Sequence, residues 1–180
     1  MTASVLCLIT DGFEEIETIT PVDLLRRAGA EVVLASLSDS LHVTGRSGIT
    51  MSADIRYAEL GHRSFDMLFL PGGPQIKAMR VDGRAVALAR SFALEQKLIA
   101  AICAAPTVLK DAGLLEGRRF TAHSSVHGEL ATVLADERVV EDGQLITSRG
   151  AGTALDFGLA LVRRLIGDAM AREVASSIMA

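Results

Sequence analysis

Short, unbroken apolar runs alternate along the chain with amphipathic stretches. Residues 5–9 are apolar at every position, the pattern of a parallel strand covered on both faces. A turn at Asp11-Gly12 follows. Between 14 and 28, Ile16, Ile19, Val22, Leu24 and Leu25 recur at roughly helical spacing, and Gly29 stands where a helix would stop. Residues 31–36 then predict a second buried strand, completing a βαβ unit.

Two short runs, 41–44 and 49–52, flank Gly45-Arg46-Ser47-Gly48 and predict a small inserted hairpin. The apolar run 67–70 ends in Pro71-Gly72-Gly73-Pro74. Residues 84–96 predict an amphipathic helix with Val86, Leu88, Ala89, Phe92 and Ala93 on its apolar side. The run 98–102 leads directly into Cys103-Ala104-Ala105-Pro106, then into a short helix over 107–112 that Gly113 ends. Pro106 suits a first helical turn. Residues 139–141 and 145–147 flank Asp142-Gly143, a hairpin signal. Helices over 154–166 and 169–179, separated at Gly167, close the chain. Strands alternating with helices, without repeat or linker, predict one α/β domain over 1–180. Its architecture is a doubly wound sandwich with a mostly parallel central sheet.

Composition adds exclusions. A chain of 180 residues, 49% of them hydrophobic, can bury roughly 70% of its surface without covalent staples. The net charge of -4, from 18 basic and 22 acidic residues, leaves no basic excess, so nucleic acid is not expected as the primary partner. Cys7 and Cys103 are far apart and in no metal-like spacing, which excludes a disulfide framework or zinc ribbon. The first residues carry neither the charged region of a signal peptide nor the length of a membrane span. A cytoplasmic protein without a membrane partner is therefore expected.

Ligands of open α/β sheets bind outside the carboxyl ends of the parallel strands, where residues 11–17, 71–74 and Cys103 fall. Cys103 stands where a strand turns sharply into a helix, beside the small residues that a nucleophile elbow needs. Cys7, in mid-strand, reads as a core residue. Gly72-Gly73 can aim backbone N–H groups into the pocket as an oxyanion site, or can be a simple turn. No phosphate-loop pattern is present. Glu14, Glu15 and Glu17 open a helix, where carboxylates cap; Glu14 reads as capping. Glu15 and Glu17 point to different sides, so at most one faces Cys103. His123 and His127 lack the third ligand that a metal site requires.

Four motifs together carry a resemblance: Gly12-Phe13-Glu14-Glu15-Ile16-Glu17, Leu70-Pro71-Gly72-Gly73, Ala100-Ala101-Ile102-Cys103-Ala104-Ala105-Pro106-Thr107 and Thr147-Ser148-Arg149-Gly150-Ala151-Gly152-Thr153. The chain resembles the ThiJ/PfpI superfamily, in particular the branch of the parkinsonism-associated protein deglycase and bacterial YajL. The resemblance implies a flavodoxin-like sandwich, a homodimer, a reactive Cys103 and a glutamate partner at Glu17. It further implies backbone donors at Gly72, Gly73 and Ala104, His123 beside the thiol, and Arg46 entering across a dimer interface. Ala151 stands where a proline is often seen. Ala104 occupies the position of the histidine of the peptidase branch, which argues against a Cys-His peptidase.

Two ionised groups at Cys103 and Glu17 would raise each other's pKa; a protonated Glu17 would instead donate a hydrogen bond to a thiolate. The activity implied is cofactor-independent turnover of a small reactive carbonyl, methylglyoxal to lactate in the manner of a glyoxalase III, or the related deglycation of proteins or nucleotides. The alternative is an oxidation-sensing stress protein or redox-dependent chaperone in which an exposed, low-pKa Cys103 becomes a sulfinate. A glutaminase-like reading lacks its histidine, since none follows His127.

Overall fold

The structure, a computed structural model, describes residues 2–180. Along the chain come β1 (Ser4–Ile9), α1 (Glu15–Arg27), β2 (Glu31–Ser36), the hairpin strands β3 (His42–Thr44) and β4 (Thr50–Ser52), β5 (Ile55–Arg56) and β6 (Met67–Leu70). Helices α2 (Gln75–Asp82) and α3 (Arg84–Leu94) lead to β7 (Leu98–Ile102) and α4 (Pro106–Asp111). The chain ends with β8 (Val139–Asp142), β9 (Leu145–Ser148), α5 (Ala154–Leu165) and α6 (Asp168–Ser177).

Seven strands form one sheet in the order β5-β2-β1-β6-β7-β9-β8. Every neighbouring pair is parallel except β8 with β9. The apolar runs are unbroken because both faces are covered. On β1, Leu6 and Leu8 pack with Ile76, Met79, Ala89 and Phe92 on one side. Val5, Cys7 and Ile9 pack with Leu25, Phe157 and Leu161 on the other. Cys7 is fully buried, as the sequence suggests. β1 pairs with β2 on one flank and β6 on the other, so strand order reverses beside β1, and the crevice for a ligand opens there.

Two local features depart from the sequence pattern. Ile16 and Ile19 of α1 are 53% and 44% exposed. The inner face of the helix is Pro21, Val22, Leu24 and Leu25, pressed against α5 so closely that a Cβ on Gly158 would lie 3.0 Å from the Pro21 Cα. Helix α2 was not anticipated, because only Ile76 and Met79 of its apolar residues face inward and Val81 is 90% exposed. Gly83, at φ +80°, breaks it from α3. The anticipated inserted hairpin forms as a separate antiparallel pair, β3 with β4.

Candidate active site

Backbone bonds weave three loops together at the carboxyl ends of β1, β6 and β7. Glu14 N–H donates to the Gly72 carbonyl at 3.2 Å, and Gln75 N–H to the Gly12 carbonyl at 3.2 Å. The buried Gln75 side chain completes the join: its Nε2 donates to the Pro71 and Gly72 carbonyls, each at 3.0 Å, and its Oε1 accepts from Thr10 N–H at 2.8 Å. The β3–β4 hairpin docks on the same loops through Gly12 N–H to Thr44 O and Arg46 N–H to Phe13 O, both 2.8 Å.

Cys103 sits at the elbow with φ +65°, a left-handed conformation that costs energy in a non-glycine residue. Its N–H donates to the Ser148 carbonyl and its carbonyl accepts from His123 N–H, each at 2.9 Å, so the neighbouring segments enforce the strain. The loop opposite must be bare. A Cβ on Gly72 would lie 2.6 Å from the Cys103 Cβ, and one on Gly73 would lie 2.6 Å from Glu14 N. The Gly73 and Ala104 N–H groups face the sulfur, the anticipated pair of donors. Gly72 N–H faces the Glu17 carboxyl instead, so Gly72 supports the acid rather than the oxyanion position.

The three glutamates have separate contacts. Glu14 caps α1, its Oε2 accepting from Glu17 N–H at 2.7 Å. Glu15 accepts from Ser47 N–H at 2.8 Å, clasping the hairpin; N–H groups from Glu15, Ser47 and Ile49 outweigh its burial and hold its carboxyl below the usual range. Glu17 turns to Cys103. It is 1% exposed, and its Oε2 is buried with no hydrogen-bond partner among the described residues.

Burial, reinforced by the Glu14 charge, pushes Glu17 up to about 7 against the opposing pull of Cys103 and the Gly72 and Ala151 N–H groups. Burial and the Glu17 charge push the Cys103 thiol up to about 12, against the Gly73 and Ala104 donors. Both shifts go in the direction expected for like charges. The pair thus releases one proton near neutrality and a second only in strong base, holding a single negative charge between them. An intrinsically acidic, exposed thiol is not what forms: Cys103 is half-buried, and its acidity depends on where the proton of the pair resides.

The DJ-1/PfpI family profile matches residues 3–164. The chain belongs to the DJ-1/PfpI family. It is 38% identical to protein dj-1beta of Drosophila melanogaster over 99% of this chain and 98% of that one, and the crystal structure of Drosophila DJ-1beta superposes with a TM-score of 0.95 over the same shares. Oxidized DJ-1 of Toxoplasma gondii, 32% identical, gives 0.93 over 99% of this chain and 98% of that chain. A Pyrococcus abyssi protein named a deglycase is 36% identical over 82% of this chain and 90% of its own length.

In this DJ-1/PfpI domain a cavity of about 500 Å³ gathers Cys103, Glu17, Gly73, Ala104, His123 and Arg46. His123 is an exposed wall residue whose Nδ1 accepts from Ser125 N–H at 3.2 Å; its N–H, donating to the Cys103 carbonyl, ties it to the elbow through the backbone. Arg46 lines this cavity from its own chain, brought there by the hairpin. Gln75, Lys77 and the ion-paired Arg80 were not singled out in the sequence. Arg80 bonds Asp111 at 2.6 Å and Glu129 at 2.9 Å and builds the far wall. Among the described residues no cluster of three His, Cys, Asp or Glu could hold a metal ion, and no helix is long and apolar enough to cross a membrane.

Proposed function

We propose that this protein is a cofactor-independent enzyme that converts small 2-oxoaldehydes to 2-hydroxy acids, methylglyoxal to lactate being the simplest case. The observation that carries this reading is the Cys103–Glu17 pair holding one proton beside the Gly73 and Ala104 N–H groups. Transfer of the thiol proton to the ionised Glu17 moves the charge of the pair onto sulfur and makes Cys103 a nucleophile. Sulfur adds to the aldehyde carbon, the carbonyl π electrons move to oxygen, and the two N–H groups hold the developing oxyanion while Glu17 protonates it. The ionised Glu17 then removes the hydrogen from the same carbon, giving an enediol, and returns a proton to the neighbouring carbon. The first carbon is oxidised and the second reduced. Water hydrolyses the resulting thioester, releasing the hydroxy acid and restoring the thiol. Deglycation of protein or nucleotide adducts uses the same thiol, and relatives named deglycase support that extension.

Lactate formation from methylglyoxal, followed for wild type and Cys103→Ser, tests the reading: activity that survives the substitution overturns it. A second reading, oxidation of Cys103 to a sulfinate held by the same donors, draws on the Toxoplasma relative described as oxidized. It is weakened by the raised thiol pKa. A homodimer belongs to the same proposal: Ile16 and Ile19, exposed on α1, and the 54% exposed Ile49 are the apolar side chains it would cover.

A further inference from the structure

A second cavity, of about 590 Å³, adjoins the thiol cavity, and His123 and Ala151 line both. Their charges differ. The thiol cavity sets Glu14, Glu17 and Glu129 against Arg46, Lys77 and Arg80. The second is lined by His123, His127, Arg138 and Arg149 and, among the described residues, by no aspartate or glutamate. In a chain of net charge -4 such a concentration of donors is built locally.

The donors are partly committed, and what remains points to an anion. Arg138 is bound to Asp156 at 2.6 Å and to the Gly152 carbonyl at 3.0 Å, so its charge is already answered. Arg149 is not: its guanidinium donates to the Ala135 carbonyl at 3.3 Å and has no carboxylate partner among the described residues. His127 Nε2 lies 3.1 Å from the Ala122 carbonyl, placing the ring hydrogen there. His123 accepts at Nδ1 from Ser125 N–H, so in the neutral ring the hydrogen sits on Nε2 as a donor. A guanidinium fork and an imidazole donor around one concave space suit a phosphate group, which has several acceptor oxygens.

We propose that this second lobe binds a phosphate carried by the substrate, so that the preferred carbonyl is a phosphorylated one whose reactive carbon reaches Cys103 past His123 and Ala151. The proposal rests on the reading of Cys103 as the group that meets the carbonyl. Hydroxypyruvaldehyde and its phosphate ester differ only in that group. Wild type is expected to show a kcat/KM for the ester about tenfold or more above that for the parent, the scale of one charged hydrogen-bond pair. Arg149→Met should remove this preference, and Arg149→Lys, which keeps the charge without the fork, should retain part of it. Each ratio compares two substrates on one enzyme, so a fraction of misfolded protein cancels.

Equal kcat/KM values, or a preference that survives Arg149→Met, overturn the proposal. A separate arm titrates Cys103→Ser protein with inorganic phosphate, following the histidine ring signals by NMR. Saturable binding that Arg149→Met abolishes supports the lobe even if neither carbonyl is turned over, in which case the proposed reaction alone fails. Phosphate binding without any advantage for the ester overturns the substrate assignment in favour of a free phosphate site, and no binding overturns the lobe.

Discussion

Glu17→Gln tests the shared proton directly, and Glu17→Ala supplies its control. Glu17 faces Cys103, and two unit charges about 4 Å apart at an effective dielectric constant of about 20 repel by roughly 4 kcal/mol. That corresponds to about three pK units. Glutamine removes the charge and keeps a neutral donor, so the Cys103 thiol should fall from about 12 by about two to three units. Alanine removes both, and losing a hydrogen bond to a charged sulfur, about 1.5–3 kcal/mol, should leave the thiol about one to two units above its value in the glutamine variant. The assay is the ultraviolet absorbance of the thiolate against pH, with alkylation rate by iodoacetamide alongside. In wild type the absorbance gained through the lower step, near 7, reports the share of the single charge that rests on sulfur. Identical midpoints for the two variants, or a glutamine variant no lower than the upper step of wild type, would refute the pair as described.

The raised Glu17 pKa also makes stability pH-dependent. Its contribution is fully present below the ordinary value of 4.5 and is lost as pH rises through about 7, an upper limit of about 3 kcal/mol. The melting temperature of wild type relative to Glu17→Gln should therefore drop between those pH values, and a rising difference contradicts the assignment. Gly72→Ala should cost about 1–3 kcal/mol in urea unfolding through the contact with the Cys103 Cβ; an unchanged midpoint counts against so close an approach. A thiol reagent should find one reactive cysteine in the native protein and two after denaturation, because Cys7 is 0% exposed and burial drives its pKa upward. Ile16→Glu combined with Ile19→Glu should yield monomer in sedimentation, whereas an intact dimer would place the interface elsewhere.

The central strands were readable in the sequence because burial on both faces leaves no polar alternation: 5–9, 31–36, 67–70 and 98–102 became β1, β2, β6 and β7 within a residue. Cys103 was readable for a related reason, since a buried strand that meets a cysteine, two alanines and a proline has to turn at once. Helix α2 was not, because two inward apolar residues give too little periodicity to detect. Ile16 and Ile19 misled in the opposite sense, their spacing helical but their side facing away from α5. Gln75 was also hidden: its three hydrogen bonds reach Thr10, Pro71 and Gly72, and loop-to-loop joins of that kind leave no periodic trace.

One turn of α1 shows how the chemistry arises from ordinary helix geometry. Successive positions rotate by about 100°, so Glu14, Glu15 and Glu17 cannot share a direction. Glu14 meets the free N–H at the start of the helix, and Glu15 meets the N–H groups of the docked hairpin. Glu17 alone is aimed at the elbow with too few donors to offset its burial, and one of its oxygens has no partner. A carboxylate left short of donors keeps its proton to higher pH, and the nearest group able to use that proton is the thiol that Gly72 allows to approach. The acidic cluster therefore divides by direction, and the proton-carrying position is the one at which the fold withholds hydrogen bonds.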